Sequence, residues 1–72
     1  MNHCPIRELD VVALTADLPQ NGLTRGQVGT VVHTYAPDQF EVEFVDPRGH
    51  TYALATLRAD DLLVLHYEPA AA

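Results

Sequence analysis

Along most of the chain, apolar and polar residues alternate with a period of two, the signature of a strand with one buried face. The clearest run is QFEVEFVD (39–46), in which Phe40, Val42 and Phe44 point one way and Glu41 and Glu43 the other. It reads as a half-buried antiparallel strand with its glutamates in water. LDVVALT (9–15) and QVGTVVHTY (27–35) are rich in β-branched residues, and HTYALATL (50–57) sets Tyr52 and Leu54 against Thr51, Ala53 and Ala55. LLVLHY (62–67) closes the series. No stretch carries a helical period of useful length.

The connectors punctuate the same way. DLPQNG (17–22) is turn-forming, and Pro37 in APDQ sits at the second position of a type I turn joining the second and third strands. DPRG (46–49) places Asp, Pro and Gly where a type I turn followed by a left-handed glycine needs them, so strands three and four form a hairpin. RADD (58–61) suits one short 3₁₀ turn, with Asp60 or Asp61 capping exposed amides. Five short strands, a long first loop, two tight hairpins and a 3₁₀ turn before the last strand predict an all-β fold, a small five-stranded SH3-like barrel. An OB-fold would want a longer chain and usually a helix between its third and fourth strands.

The 72 residues make one domain, with an ordered core expected over about 6–67 and loose ends. One cysteine, Cys4, excludes an internal disulfide, and no apolar run is long enough to span a membrane as a helix, so the expected compartment is the cytoplasm. Ten carboxylates face four arginines with no lysine, for a net charge of −6. Phosphate contacts need a basic face, so this balance disfavours nucleic acid and favours a basic protein partner through long-range attraction.

The stretches DVVALTADLPQNGLTRGQVGTVVHTY, FEVEFVDPRGHTYALATL and LLVL, from Leu9 to Leu65, resemble a family of short bacterial proteins of unassigned function. The specific pieces are GLTRGQVGTVV and YALATL. The resemblance implies an SH3-like barrel and a cognate protein partner of the toxin–antitoxin or immunity kind. Locally, RGQVGTVV is similar to the KOW motif of ribosomal and transcription-factor SH3-like domains, with Arg25 at the basic position before Gly26. The surrounding lysines of that motif are replaced here by an acidic chain.

Cys4 lies near the chain start, where nothing would lower its pKa or hold a base against it. His3 adjoins Cys4 without a second pair at ligand spacing, and His33, His50 and His66 fall on different strands, so neither a metal nor any other cofactor is expected. Asp60 and Asp61 read as caps. No catalytic residue is assigned, and the domain is read as non-enzymatic.

The last strand is apolar at four consecutive positions, so aliphatic side chains occupy both its faces. Either the N-terminal segment covers the outer face or another chain does. The leading function is therefore a protein–protein interaction module that binds a basic partner or itself as a homodimer, through Leu63, Leu65, Tyr67, Glu41 and Glu43. The alternative is a KOW-like nucleic-acid or ribosome-associated module whose ligand-facing loop comprises Arg25, Gly26, Tyr35, Arg48 and Tyr52. In GLTRGQVGTVVHTY, Gly22 and Gly26 are expected at turns with positive φ and Gly29 at a bulge or tight bend.

Overall fold

A computed structural model describes residues 6–66. Five strands form a single antiparallel sheet: β1 (Val11–Leu14), β2 (Val28–Ala36), β3 (Gln39–Val45), β4 (Thr51–Arg58) and β5 (Leu62–Val64). Their order across the sheet is β4-β3-β2-β1-β5, the SH3-like arrangement in which a three-stranded meander is extended by the first and last strands. Among the described residues the ladder ends at β4 on one side and β5 on the other.

The alternation of β3 sets the core. Phe40, Val42 and Phe44 are buried, together with Val12, Leu14, Val31, Ala55, Leu57 and Leu62 from the other four strands. Leu23 joins them from the long first loop. Burying a phenylalanine or leucine side chain contributes about 1.5–3 kcal/mol, so these positions carry most of the driving force in so small a domain.

That first loop is more ordered than its turn-forming composition suggests. Leu18 and Leu23 exchange both backbone hydrogen bonds (2.8 and 3.1 Å), and between them Pro19–Asn21 form a 3₁₀ turn begun by proline. A second 3₁₀ turn thus joins the expected one at Ala59–Asp61. In that expected turn, Asp60 and Asp61 do not cap. The N-cap position is Arg58, which makes no side-chain cap, and the two aspartates lie inside the turn. What they contribute is backbone: the Asp60 and Asp61 carbonyls accept from the Thr15 hydroxyl and amide, at 3.2 and 3.0 Å, tying the turn to the end of β1.

The β3–β4 hairpin forms as expected. Gly49 has φ +87° and donates to the Asp46 carbonyl at 2.9 Å. The Asp46 carboxylate also accepts from the amides of Arg48 and His50, both at 2.9 Å, an Asx arrangement that explains the aspartate at this position. In the β2–β3 hairpin the connecting residues are Pro37 and Asp38, between the paired Ala36 and Gln39. Proline fixes a negative φ and excludes the primed turns that match strand twist. The register slips between Thr34 and Ala36, leaving Tyr35 unpaired and letting the hairpin close.

Gly22 and Gly26 have the expected positive φ, at +69° and +92°. Gly29 corrects the expectation. It pairs in regular register with Val12, and the bulges of β2 lie further on, at Val32 and Tyr35. Val28 and Val32 therefore share the outer face while Val31 is buried. The glycine is needed because a Cβ at this position would stand 2.7 Å from Val42 Cγ1 and 2.9 Å from the Glu43 carbonyl oxygen. Two further boundaries move inward: β1 begins at Val11, after Leu9 in a left-handed conformation (φ +75°), and β5 ends at Val64.

Candidate functional site

The pairing registers assemble a surface that no single strand displays. On β1, Val12 and Leu14 face the core, so Val11 and Ala13 face out. Ala13 pairs with Leu63 of β5 on one side and Val28 of β2 on the other. Thr30 pairs with Glu43, the last rung of the β2–β3 ladder at this end, and Val45 lies two residues beyond it on β3. The result is an aliphatic row, Leu63–Ala13–Val28, crossing three strands on the outer face, with Val45 exposed on β3. Leu63, Val28 and Val45 expose 56%, 45% and 40% of their surface.

A second row runs parallel to it. The Leu65 amide donates to the Val11 carbonyl at 2.8 Å, and Val11 pairs with Thr30, Thr30 with Glu43, and Glu43 with Leu54, which is 58% exposed. Leu65 is half-buried. The two rows place aliphatic carbon at both ends of the sheet with one carboxylate, Glu43, set between Thr30 and Leu54. Exposed aliphatic residues are ordinary when scattered; aligned side by side across a sheet they form a contact surface.

Beyond these rows lies a polar cluster. Glu41 accepts from the Thr56 hydroxyl at 2.8 Å and the Tyr35 hydroxyl at 3.3 Å, and Glu43 accepts from the Thr51 hydroxyl. The two glutamates point outward, as their alternation predicts, yet both are half-buried, because threonines on β4 and the Tyr35 ring stand over them. The Tyr35 ring also packs edge-on against His33, with centroids 4.7 Å apart. Desolvation against these neighbours, followed by the Glu41 carboxylate that accepts its proton, raises the Tyr35 phenol above its ordinary pKa of 10.0.

The histidines do not converge. His33 stands 3.8 Å from Glu8 and pairs across the sheet with Glu41, while His50 stands 3.6 Å from Asp46. Glu41 and Asp46 are separated by about 17 Å of β3 at ordinary strand rise. Among the described residues no group of three metal-ligating side chains assembles. His3, Cys4 and Tyr67 lie outside the described residues.

The loop set Arg25, Gly26, Tyr35, Arg48 and Tyr52 is divided by the fold. The loop holding Arg25 and Gly26 leads into β2 and is bound back to the sheet: the Arg25 amide donates to Asp17 at 2.9 Å and the Gly26 amide to the Leu14 carbonyl at 2.8 Å. Tyr52 meets this loop, its hydroxyl accepting from the Gln27 side chain at 3.3 Å while its ring packs against Phe44. Arg48 lies in the β3–β4 turn at the same end. Tyr35 is at the opposite end of β2, beside the Pro37–Asp38 turn. Tyr52 thus covers the core at one end, and Tyr35 lies on the outer surface at the other.

Together, the sheet order and the strand pairing define a small all-β domain of SH3-like topology. Residues 8–64 match the family described as Domain of unknown function (DUF4926), and the chain belongs to it. No curated protein and no solved structure matches the chain.

Proposed function

We propose that the domain is a non-enzymatic protein-binding module of the cytoplasm, which receives a partner on the outer face of β5, β1, β2 and β3. The observation that carries this reading is the aliphatic row Leu63–Ala13–Val28, with Val45, Leu65, Val11 and Leu54 on the same outer face. Glu43 and Glu41 beside that row, on a chain of net charge −6, suit a partner that brings basic side chains around an apolar patch. An antitoxin- or immunity-like complex with a basic protein has this chemistry.

The test is affinity capture from the native host with the parent chain and with Leu63→Ser and Val28→Ser variants of unchanged far-UV spectrum. The expected result is one basic protein that the parent retains and both variants release, with charge reversal at Glu41 and Glu43 slowing its association most at low salt. Retention of the same protein by both variants would overturn the reading. RNA added at low salt discriminates the KOW-like alternative, which requires spectral shifts centred on Arg25, Arg48 and Tyr52.

A further inference from the structure

The edge strand β4 poses a separate question. Sheets protect their edges with short strands, lysines, prolines or bulges. At the β5 edge the strand is only three residues long. The β4 edge is eight residues long, and past the irregularity near Tyr52 the segment Ala53–Arg58 contains no proline, glycine or lysine.

Which groups face outward along this edge follows from one hydrogen bond. The Ala59 amide donates to the Asp38 carbonyl at 3.0 Å, in the register that pairs Gln39 with Arg58. Antiparallel ladders alternate hydrogen-bonded and non-bonded pairs. Phe40–Leu57, Val42–Ala55 and Phe44–Ala53 are therefore the bonded pairs. The N–H and C=O groups of Leu54, Thr56 and Arg58 point away from β3, beneath side chains that are exposed.

We infer that this edge pairs with the β4 edge of a second copy, antiparallel, about a two-fold axis at Thr56. Five two-fold registers use the outward groups. Axes at Ala55 or Leu57 match only Leu54 with Thr56 or Thr56 with Arg58, and so form fewer bonds than an axis at Thr56. An axis at Arg58 would set two guanidinium groups face to face, and one at Leu54 would run the partner strand into the irregularity at Tyr52. With the axis at Thr56, Leu54 lies opposite Arg58 of the second copy, and about six main-chain hydrogen bonds form. The aliphatic stem of Arg58 then covers the exposed Leu54 of the other chain. Its guanidinium, 3.6 Å from Asp38 of its own chain in the structure, exchanges that partner for Glu43, the neighbour of that leucine on β3, so the symmetric pairing contains two Arg58–Glu43 ion pairs between chains. Each copy carries net charge −6, which opposes association at long range, so the measurement belongs at about 0.15 M salt, where the Debye length is about 8 Å.

Sedimentation equilibrium of the full chain is expected to give a concentration-dependent mass rising to twice that of one chain. Arg58→Glu is expected to weaken the dimer at least about tenfold, and Arg58→Glu with Glu43→Arg to restore it, a rescue that loss of fold would not produce. Thr56→Pro removes an N–H that the ladder to β3 does not use, so it is expected to leave a folded monomer. A parent chain that stays monomeric at about 1 mM (a Kd weaker than about −4 kcal/mol) overturns the inference. So does a dimer whose mass is unaffected by both Arg58→Glu and Thr56→Pro. Leu63→Ser and Val28→Ser, at the other side of the sheet, are expected to leave the dimer intact, which separates this result from the partner-binding test.

Discussion

Replacing Gly29 with alanine adds one methyl group to the most crowded crossing of the sheet. That methyl would stand 2.7 Å from Val42 Cγ1, 2.9 Å from the Glu43 carbonyl oxygen and 3.0 Å from Phe44 Cδ2. Carbon atoms pack at about 3.5–4.0 Å, so all three neighbours must give by at least half an ångström. The carbonyl cannot rotate aside, because Glu43 is paired on one side with Thr30 of β2 and on the other with Leu54 of β4. Overpacking of this kind costs about 1–3 kcal/mol, and alanine regains about 0.5–1 kcal/mol by restricting the unfolded backbone. With three close contacts at once the overpacking cost sits at the upper end of its range, so the net expectation is a loss of about 2 kcal/mol, which lowers the Tm of a domain of this size by about 8–16 °C. Thermal and urea unfolding followed by circular dichroism measure it. Val42→Ala relieves the closest contact, so it is expected to cost less in the Gly29→Ala background than in the parent, with a coupling of about 1 kcal/mol. A Gly29→Ala variant melting within about 4 °C of the parent would refute the reasoning, since the strands would then be free to separate.

Two further predictions rest on side-chain partners. Asp46→Ala removes the carboxylate that accepts from the Arg48 and His50 amides, and is expected to cost about 1 kcal/mol, with faster hydrogen exchange confined to the β3–β4 turn. For Tyr35, whose raised pKa reflects desolvation and then Glu41, Glu41→Gln is expected to lower the phenol pKa toward 10.0, read from the tyrosine ring signals by NMR. The raised value favours the neutral phenol in the folded state, so its contribution to stability is present below pH 10 and disappears as pH rises through the folded pKa.

Much of the architecture was legible in the sequence because the barrel is built from short-range signals. The alternation of β3 identified Phe40, Val42 and Phe44 as core, and the DPRG turn identified its hairpin. Local patterns do not contain packing distance, so Gly29 reads as a bulge when its cause is the approach of Val42 and Phe44. The 3₁₀ turn at Pro19–Asn21 was hidden because the Leu18–Leu23 bridge that supports it depends on burial of Leu23. The capping role expected of Asp60 or Asp61 failed because the N-cap falls at Arg58, two residues before Asp60, which leaves both aspartates inside the turn.

The candidate surface was legible only in part, and for a physical reason. Leu63 and Leu65 stood out as apolar residues on both faces of a terminal strand. Val28 and Ala13 are unremarkable in sequence, and become a surface with Leu63 only when two pairing registers place them side by side. The loop set around Arg25 failed in the opposite direction. Its members looked alike in composition, but the length of β2 carries Tyr35 to the other end of the sheet.

The pairing of Val12 with Val64 also decides the order in which this molecule gains its cooperativity. The β2–β3–β4 meander can zip through neighbouring hairpins, whereas β1 and β5 meet only after a loop of about fifty residues closes, at an entropic cost that grows slowly with its length. Until that closure, β1 and β5 have no shared ladder and Leu62 has no full core to enter. The last strand therefore acts as a clasp. Contacts that hold it, from the outer face or from the core, act on the stability of the whole domain rather than on three residues at its margin.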